Sequence, residues 1–297
     1  MWILIALIAP TCYGIACVFD SFLINKNFKN PLTIAFFSSL LNIIFVPFLF
    51  LFDKPIIPPI TLIPIFILLG IINISYLYPY FRGLQNDDTS TVVAFFGIGR
   101  IFIPILAFLI AGEILSLYQY VGIILIILSV LSLSIKRIPK GFIFKKAFIY
   151  IICAAFITSF EGVLLKYLFN HGIPVSTAIG GELIMSLFLV FLFLLPKSLR
   201  KDIQTNISTF KKNIHIFFTE ELFTFLAFVA EGYAIHIAPV SLVKGITIFT
   251  PFFILLYSNL FGKRFPNTFK EEKNIRSNIK KILLFTSLSV GVFLITS

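Results

Sequence analysis

Charge is what this chain has least of. Charged residues make up 12% of its 297 positions, where an ordinary soluble domain carries about a quarter. With 59% hydrophobic residues, 38 phenylalanines and a mean hydropathy of +1.03, no folded soluble form could keep such a surface in water. A soluble enzyme, a disordered chain and a secreted disulfide scaffold are excluded together. Cysteine is scarce as well. Cys12, Cys17 and Cys153 lie in apolar runs without paired metal spacing and read as small packing residues. The chain has no Walker loop, so ATP-driven work would need a partner subunit. It has no His/Glu zinc spacing on one helix and no nucleophile elbow, which leaves protease and hydrolase readings without support. It is read as a non-enzyme that needs no cofactor and no metal. The first segment has neither a basic n-region nor a small-residue cleavage site and reads as a span, not a signal peptide.

What is there is membrane-length apolar sequence. Ten segments stand out, at 2–25, 32–52, 60–84, 89–110, 115–135, 143–169, 174–196, 213–237, 239–261 and 278–296. A spanning helix needs about 20 such residues. Barrel strands alternate over only about 10, so these runs predict helices. Most connections are short and carry turn residues, such as Asn30-Pro31, Pro58-Pro59, Asp87-Asp88 and Lys140-Gly141. Only 197–212 and 262–277 are longer, and both read as polar, basic loops. A net charge of +11 would suggest nucleic acid in a soluble chain. Here every Lys and Arg except Lys54, Arg100, Lys166 and Lys244 falls in an odd-numbered loop or its flank. The positive-inside rule therefore predicts cytoplasmic odd loops and both termini outside.

The halves resemble each other. Residues 84–113 and 234–263 both run from a polar turn through a Pro-interrupted span to a Gly-charged pair, and Asp20 in the first span matches Glu161 in the sixth. An odd number of spans per half would invert the second half, the arrangement of many secondary transporters. The run Tyr80-Phe81-Arg82-Gly83-Leu84, then Thr89 to Val93, Pro104, Gly112-Glu113 and Gln119 to Gly122 resembles the EamA-type repeat of the drug/metabolite transporter superfamily. A looser second copy runs through Tyr233-Ala234, Pro239 to Val243, Pro251 and Gly262-Lys263. The resemblance implies an all-α integral membrane fold: ten transmembrane helices as two inverted five-helix repeats, residues 1–140 and 141–297, around a central cavity. It also implies alternating-access movement of small metabolites, often outward, with spans one, three, four, six, eight and nine around the cavity. The sequence departs from the pattern at Lys263, where an acidic residue is usual. Its charge bias also opposes the cytoplasmic termini common in that family.

Ionisable groups inside spans are costly and mark functional candidates. Asp20, Arg82, Glu113 and Lys166 lie near helix ends, where side chains reach the interface, and Glu113 and Lys166 read as anchors or caps. Glu220 and Glu221 read as mouth residues balancing Lys211 and Lys212, although Glu220 shares a helix face with Glu231 eleven residues on. The deep charges are Arg100, Glu161, Glu182, Glu231 and Lys244. Glu161 and Glu231 are candidates for proton exchange or for pairing with a substrate amine. The competing reading is a static buried ion pair with Arg100 or Lys244. Arg100, near Gly97, Gly99 and Pro104, offers a planar fork to an anionic group. Tyr76 and Tyr80, with Asn73 one turn earlier, form one edge of span three, and Tyr233 is expected to face them.

The reading that follows is a secondary transporter of small polar metabolites, amino-acid-like zwitterions among them, proton-linked or facilitated. Its partners are the substrate, protons and the bilayer, with no nucleic acid, in the cytoplasmic (inner) membrane of a prokaryote. The alternatives are a lipid-linked headgroup flippase, with a lateral opening beside Arg82 or Lys166, and a non-transporting scaffold whose buried charges are all paired.

Overall fold

A computed structural model describes residues 2–51, 53–112 and 146–261 continuously, two strands at 135–138 and 141–144, and separate positions between 114 and 128 and between 283 and 294. The helices are α1 (Trp2–Asn27), α2 (Pro31–Leu49), α3 (Ile60–Asn86), α4 (Thr89–Ala111), α5 (Lys146–Asn170), α6 (Val175–Leu194), α7 (Lys197–Lys212), α8 (Ile214–Ile237) and α9 (Val240–Ser258). All but α7 and α8 are long and apolar enough individually to cross a membrane. The pair α7 and α8, bent by 88°, meets the same measure only when the two are taken together, as a broken span or a re-entrant segment, which gives seven or eight candidate spans among the described residues. By itself α8 is 24 residues long, about 36 Å at 1.5 Å per residue, and it differs from the other spans in carrying Glu220, Glu221 and Glu231.

Two expected elements take another form. The basic segment 197–212 is a helix, not a loop: Leu199, Ile203 and Phe210 recur at helical spacing and pack inward, with Phe210 stacked on Phe37 at 4.4 Å between ring centres. Thr33 of α2 also hydrogen-bonds Asp202 of α7. The junction of the expected fifth and sixth spans holds antiparallel strands, β1 (Ile135–Ile138) and β2 (Gly141–Phe144), so the sixth span begins at Lys146 and not at 143. The expected fifth and tenth spans, 115–135 and 278–296, fall mostly outside the described residues. Their described positions from 117 to 128 and from 283 to 294 are helical.

The helix ends follow local chemistry. Asn30 caps α2 by accepting from the Leu32 N–H at 3.1 Å, with Pro31 at the first helical position. Asp53, from the connection between α2 and α3, accepts from the Ser176 N–H at 3.0 Å at the start of α6 and from the Tyr233 hydroxyl at 3.1 Å. Lys166 of α5 donates to the carbonyls of Ile235 and Ala238 at 2.9 and 3.0 Å, closing the carboxyl end of α8.

Breaks interrupt several spans. In α3 the helix breaks at Tyr76, where Pro79 has no N–H for the Ser75 carbonyl four residues back. In α4 a 3-10 turn at Phe96–Ile98 separates Thr89–Phe95 from Gly99–Leu106. In α9 a 3-10 turn at Thr247–Phe249 separates Val240–Ile246 from the helix begun at Thr250. The two 3-10 turns begin 151 positions apart, at 96 and 247. Packing is reciprocal too: α1 lies chiefly on α8 and α9, while α5 lies chiefly on α3 and α4. Glycines allow the closest approaches, as at Gly70, where an added Cβ would come within 2.7 Å of the Met185 Cβ.

Candidate functional site

The helix breaks and packing leave a cavity of about 200 Å³ among α1, α2, α3, α4, α5, α8 and α9, with Leu183 of α6 also on its wall. Its polar groups form two tiers. The first is built on Lys244, which α9 delivers three residues before its 3-10 turn. The Lys244 ammonium lies 2.8 Å from Glu231 Oε2 of α8 and 3.9 Å from Glu161 Oε2 of α5. Tyr13 of α1 donates to the same Glu231 oxygen at 3.2 Å. Gly162 makes the room: a Cβ there would stand 2.6 Å from Lys244 Cε. The side chains of Lys244 and Glu231 are 9% and 2% exposed, so one ammonium ties three helices together where water is scarce.

The second tier lies near the other end of the cavity, eleven residues back along α8, a rise of about 16 Å. Glu220, Glu221 and Asp20 are all buried and line the cavity. Tyr80 donates to Asp20 Oδ2 at 2.9 Å, and the Thr224 hydroxyl donates to Glu220 Oε1 at 2.8 Å. The Tyr80 ring also neighbours those of Tyr76, Phe81 and Phe96, with centres 5.2–6.2 Å away. An aromatic wall therefore stands beside the carboxylates.

Of the residues singled out in the sequence, Glu161, Glu231, Lys244, Asn73, Tyr76 and Tyr80 come together on this cavity. Glu182 is fully buried behind it, accepting from Asn73 Nδ2 at 3.0 Å through one oxygen. Tyr233 does not face Tyr76 and Tyr80: its position on α8 turns it to Asp53 at the end of the span. Arg100 belongs to α4, and its side chain lies outside the described residues, as does Glu113.

Glu220 and Glu221 are corrected from mouth residues to cavity residues, and Asp20, expected near a helix end, lies on the cavity with them. Asp20 is interior because α1 continues seven residues beyond it to Asn27, the last turn widened into a π-helix. Glu220 and Glu221 are interior because α7 folds across the start of α8, sealed by Phe210 against Phe217. Lys211 and Lys212 stay on the exposed side of α7. The shared face of Glu220 and Glu231 was the signal for this tier. Lys166 is an anchor as expected from its position, spending its ammonium on backbone carbonyls. Among the described residues, no group of His, Cys, Asp and Glu is placed to hold a metal ion.

Residues 1–135 match the EamA-like transporter family, a family of the drug/metabolite transporter superfamily. One solved structure, titled only as the crystal structure of a protein, is similar with a TM-score of 0.61 over 98% of this chain and 99% of that one. At 12% identity, that likeness concerns the fold alone. No curated protein matches the chain. The matched family and the apolar helices make this a multi-pass integral membrane protein.

Proposed function

Proceeding from the match of residues 1–135 to the EamA-like transporters, we propose that the chain is a secondary transporter that moves a small polar metabolite by alternating access. Its units are two inverted five-helix repeats, 1–140 and 141–297. The recurrence of the 3-10 turn after 151 residues supports this division, as does the exchange of packing in which α1 takes α8 and α9 while α5 takes α3 and α4. Transporter sites are built at such repeat interfaces, from interrupted helices.

The observation that carries the reading is the Lys244 cluster inside the cavity. Two carboxylates share one ammonium, Glu231 at short range and Glu161 at the edge of contact. Because α9 is interrupted beside Lys244, this bridge can be made and broken by a modest movement of one half-helix. Glu161 carries the coupling proton: when it is protonated, the cluster is a neutral Lys–Glu pair; when ionised, it holds one net negative charge. A lipid-headgroup flippase gains nothing here, since Lys166 is engaged with the end of α8 and Arg82 lies over the Tyr78 ring and bonds Gln85.

The test is metabolite distribution between cells and medium at acidic and at alkaline external pH, with wild type and Glu161→Gln. Wild type should redistribute a metabolite in a pH-dependent way, and Glu161→Gln should flatten that dependence. An unchanged profile in the variant removes Glu161 from the coupling role.

A further inference from the structure

The outer face of α7 has no part in the transporter reading. The 16 residues of this helix carry five basic side chains, Lys197, Arg200, Lys201, Lys211 and Lys212, against one acid, Asp202. At 3.6 residues per turn, Leu199, Ile203 and Phe210 fall within about 40° of one another, and this stripe packs against α2 and α8. The five basic residues fall within about 120°, centred on the opposite face, and all five are exposed. Asp202 does not neutralise them, since it is turned to the Thr33 hydroxyl of α2. Among the described residues, none of the five cations has an ion-pair partner.

The placement of this face says what it meets. α7 joins the 24-residue α8 at 88°, and a row of cations is excluded from hydrocarbon, so α7 runs along the membrane surface. Lys26 and Lys29, exposed just before α2, add to the positive field on the same side. Exposed apolar side chains are interleaved with the charges: Ile207 lies one turn before Lys211, and Ile214 and Phe218 follow just past the bend. A phospholipid answers both features, with an anionic head over the cations and acyl chains along the first turns of α8. An acidic protein would answer the charge and leave the apolar side chains unmatched.

We propose that α7 is an in-plane helix that binds the headgroups of anionic phospholipids, and that this contact holds it closed over one end of the cavity. The closure follows from its inner face, where Phe210 against Phe37 and Phe217 seals Glu220 and Glu221 inside. Lipid that fixes the outer face makes the inner face open less often, so membrane composition regulates access to the cavity. The lipid contact stands apart from the transporter reading; only its consequence for access rests on that reading.

The purified full chain is offered equal amounts of phosphatidylglycerol and phosphatidylcholine, and bound lipid is counted by native mass spectrometry. Hydrogen exchange is followed in phosphatidylcholine nanodiscs with and without phosphatidylglycerol. Wild type should retain phosphatidylglycerol over phosphatidylcholine, and phosphatidylglycerol should slow exchange across α7. Each basic residue near an anionic surface contributes about fivefold to binding, so Arg200→Gln with Lys211→Gln should weaken phosphatidylglycerol by about tenfold or more. The charge-matched pair Lys54→Gln with Lys146→Gln, away from α7, should weaken it little. All four positions are exposed, so both variants should fold, and the wild-type exchange experiment decides whatever the variants do. Equal retention of the two lipids by wild type, equal weakening by the two variant pairs, or exchange in α7 unmoved by phosphatidylglycerol overturns the proposal. Tighter binding of an oligoglutamate peptide than of phosphatidylglycerol overturns it in favour of an acidic protein partner. Selective lipid binding by a chain that moves no metabolite upholds the surface and counts against the transporter reading.

Discussion

Replacing Lys244 by Met keeps the length of the side chain and removes its charge, leaving Glu231 and Glu161 buried with no ammonium between them. At an effective dielectric of about 20, the gross attraction is about 6 kcal/mol at 2.8 Å and about 4 kcal/mol at 3.9 Å. Desolvation of the three groups offsets most of this, so the bridge adds little net stability. Breaking it is a different matter, costing about 3–5 kcal/mol for an uncompensated buried charge. The two carboxylates are not equivalent: the Glu231 side chain is 2% exposed and that of Glu161 is 14% exposed. Lys244→Met should therefore lower the thermal unfolding temperature of the detergent-solubilised protein clearly. Adding Glu231→Gln should restore most of the loss, and adding Glu161→Gln should restore less. Unchanged stability in Lys244→Met, or a better rescue by Glu161→Gln, would refute the assignment of Glu231 as the principal partner.

Three further outcomes follow from the same contacts. Gly162→Ala places a methyl group against Lys244 Cε; the fold should persist, and the ammonium should move off Glu231, so Lys244→Met should destabilise this variant less than it destabilises wild type. Asp53→Ala removes the acceptor for the Ser176 N–H and the Tyr233 hydroxyl, and loss of such a cap should cost about 1 kcal/mol, read as a lower thermal midpoint. Lys166→Met leaves the Ile235 and Ala238 carbonyls without their donor, and hydrogen exchange should rise in the last turn of α8 with little change in α2.

Much of the architecture was legible because lipid imposes one rule: a long apolar run must be a helix with its backbone satisfied internally. The edges of 60–84, 89–110, 143–169, 174–196, 213–237 and 239–261 were readable within a few residues on that ground, and Glu161, Glu231, Lys244, Asn73, Tyr76 and Tyr80 were findable because polar groups deep in a span need a reason to be there. Depth along the chain misled at Asp20, since α1 runs on through Asn25, Lys26 and Asn27, polar residues that look like a loop. It misled again at Glu220 and Glu221, because a basic segment with Leu199, Ile203 and Phe210 on one face reads as a loop until it packs against α2. Tyr233 was misplaced because periodicity fixes which residues share a face but not what that face meets.

The most direct test of the central claim is untargeted metabolite profiling of medium and cells carrying empty vector, wild type or Glu231→Gln, each with membrane expression verified. The account predicts a small soluble metabolite redistributed by wild type and by neither of the others. Identical soluble profiles in all three would contradict it.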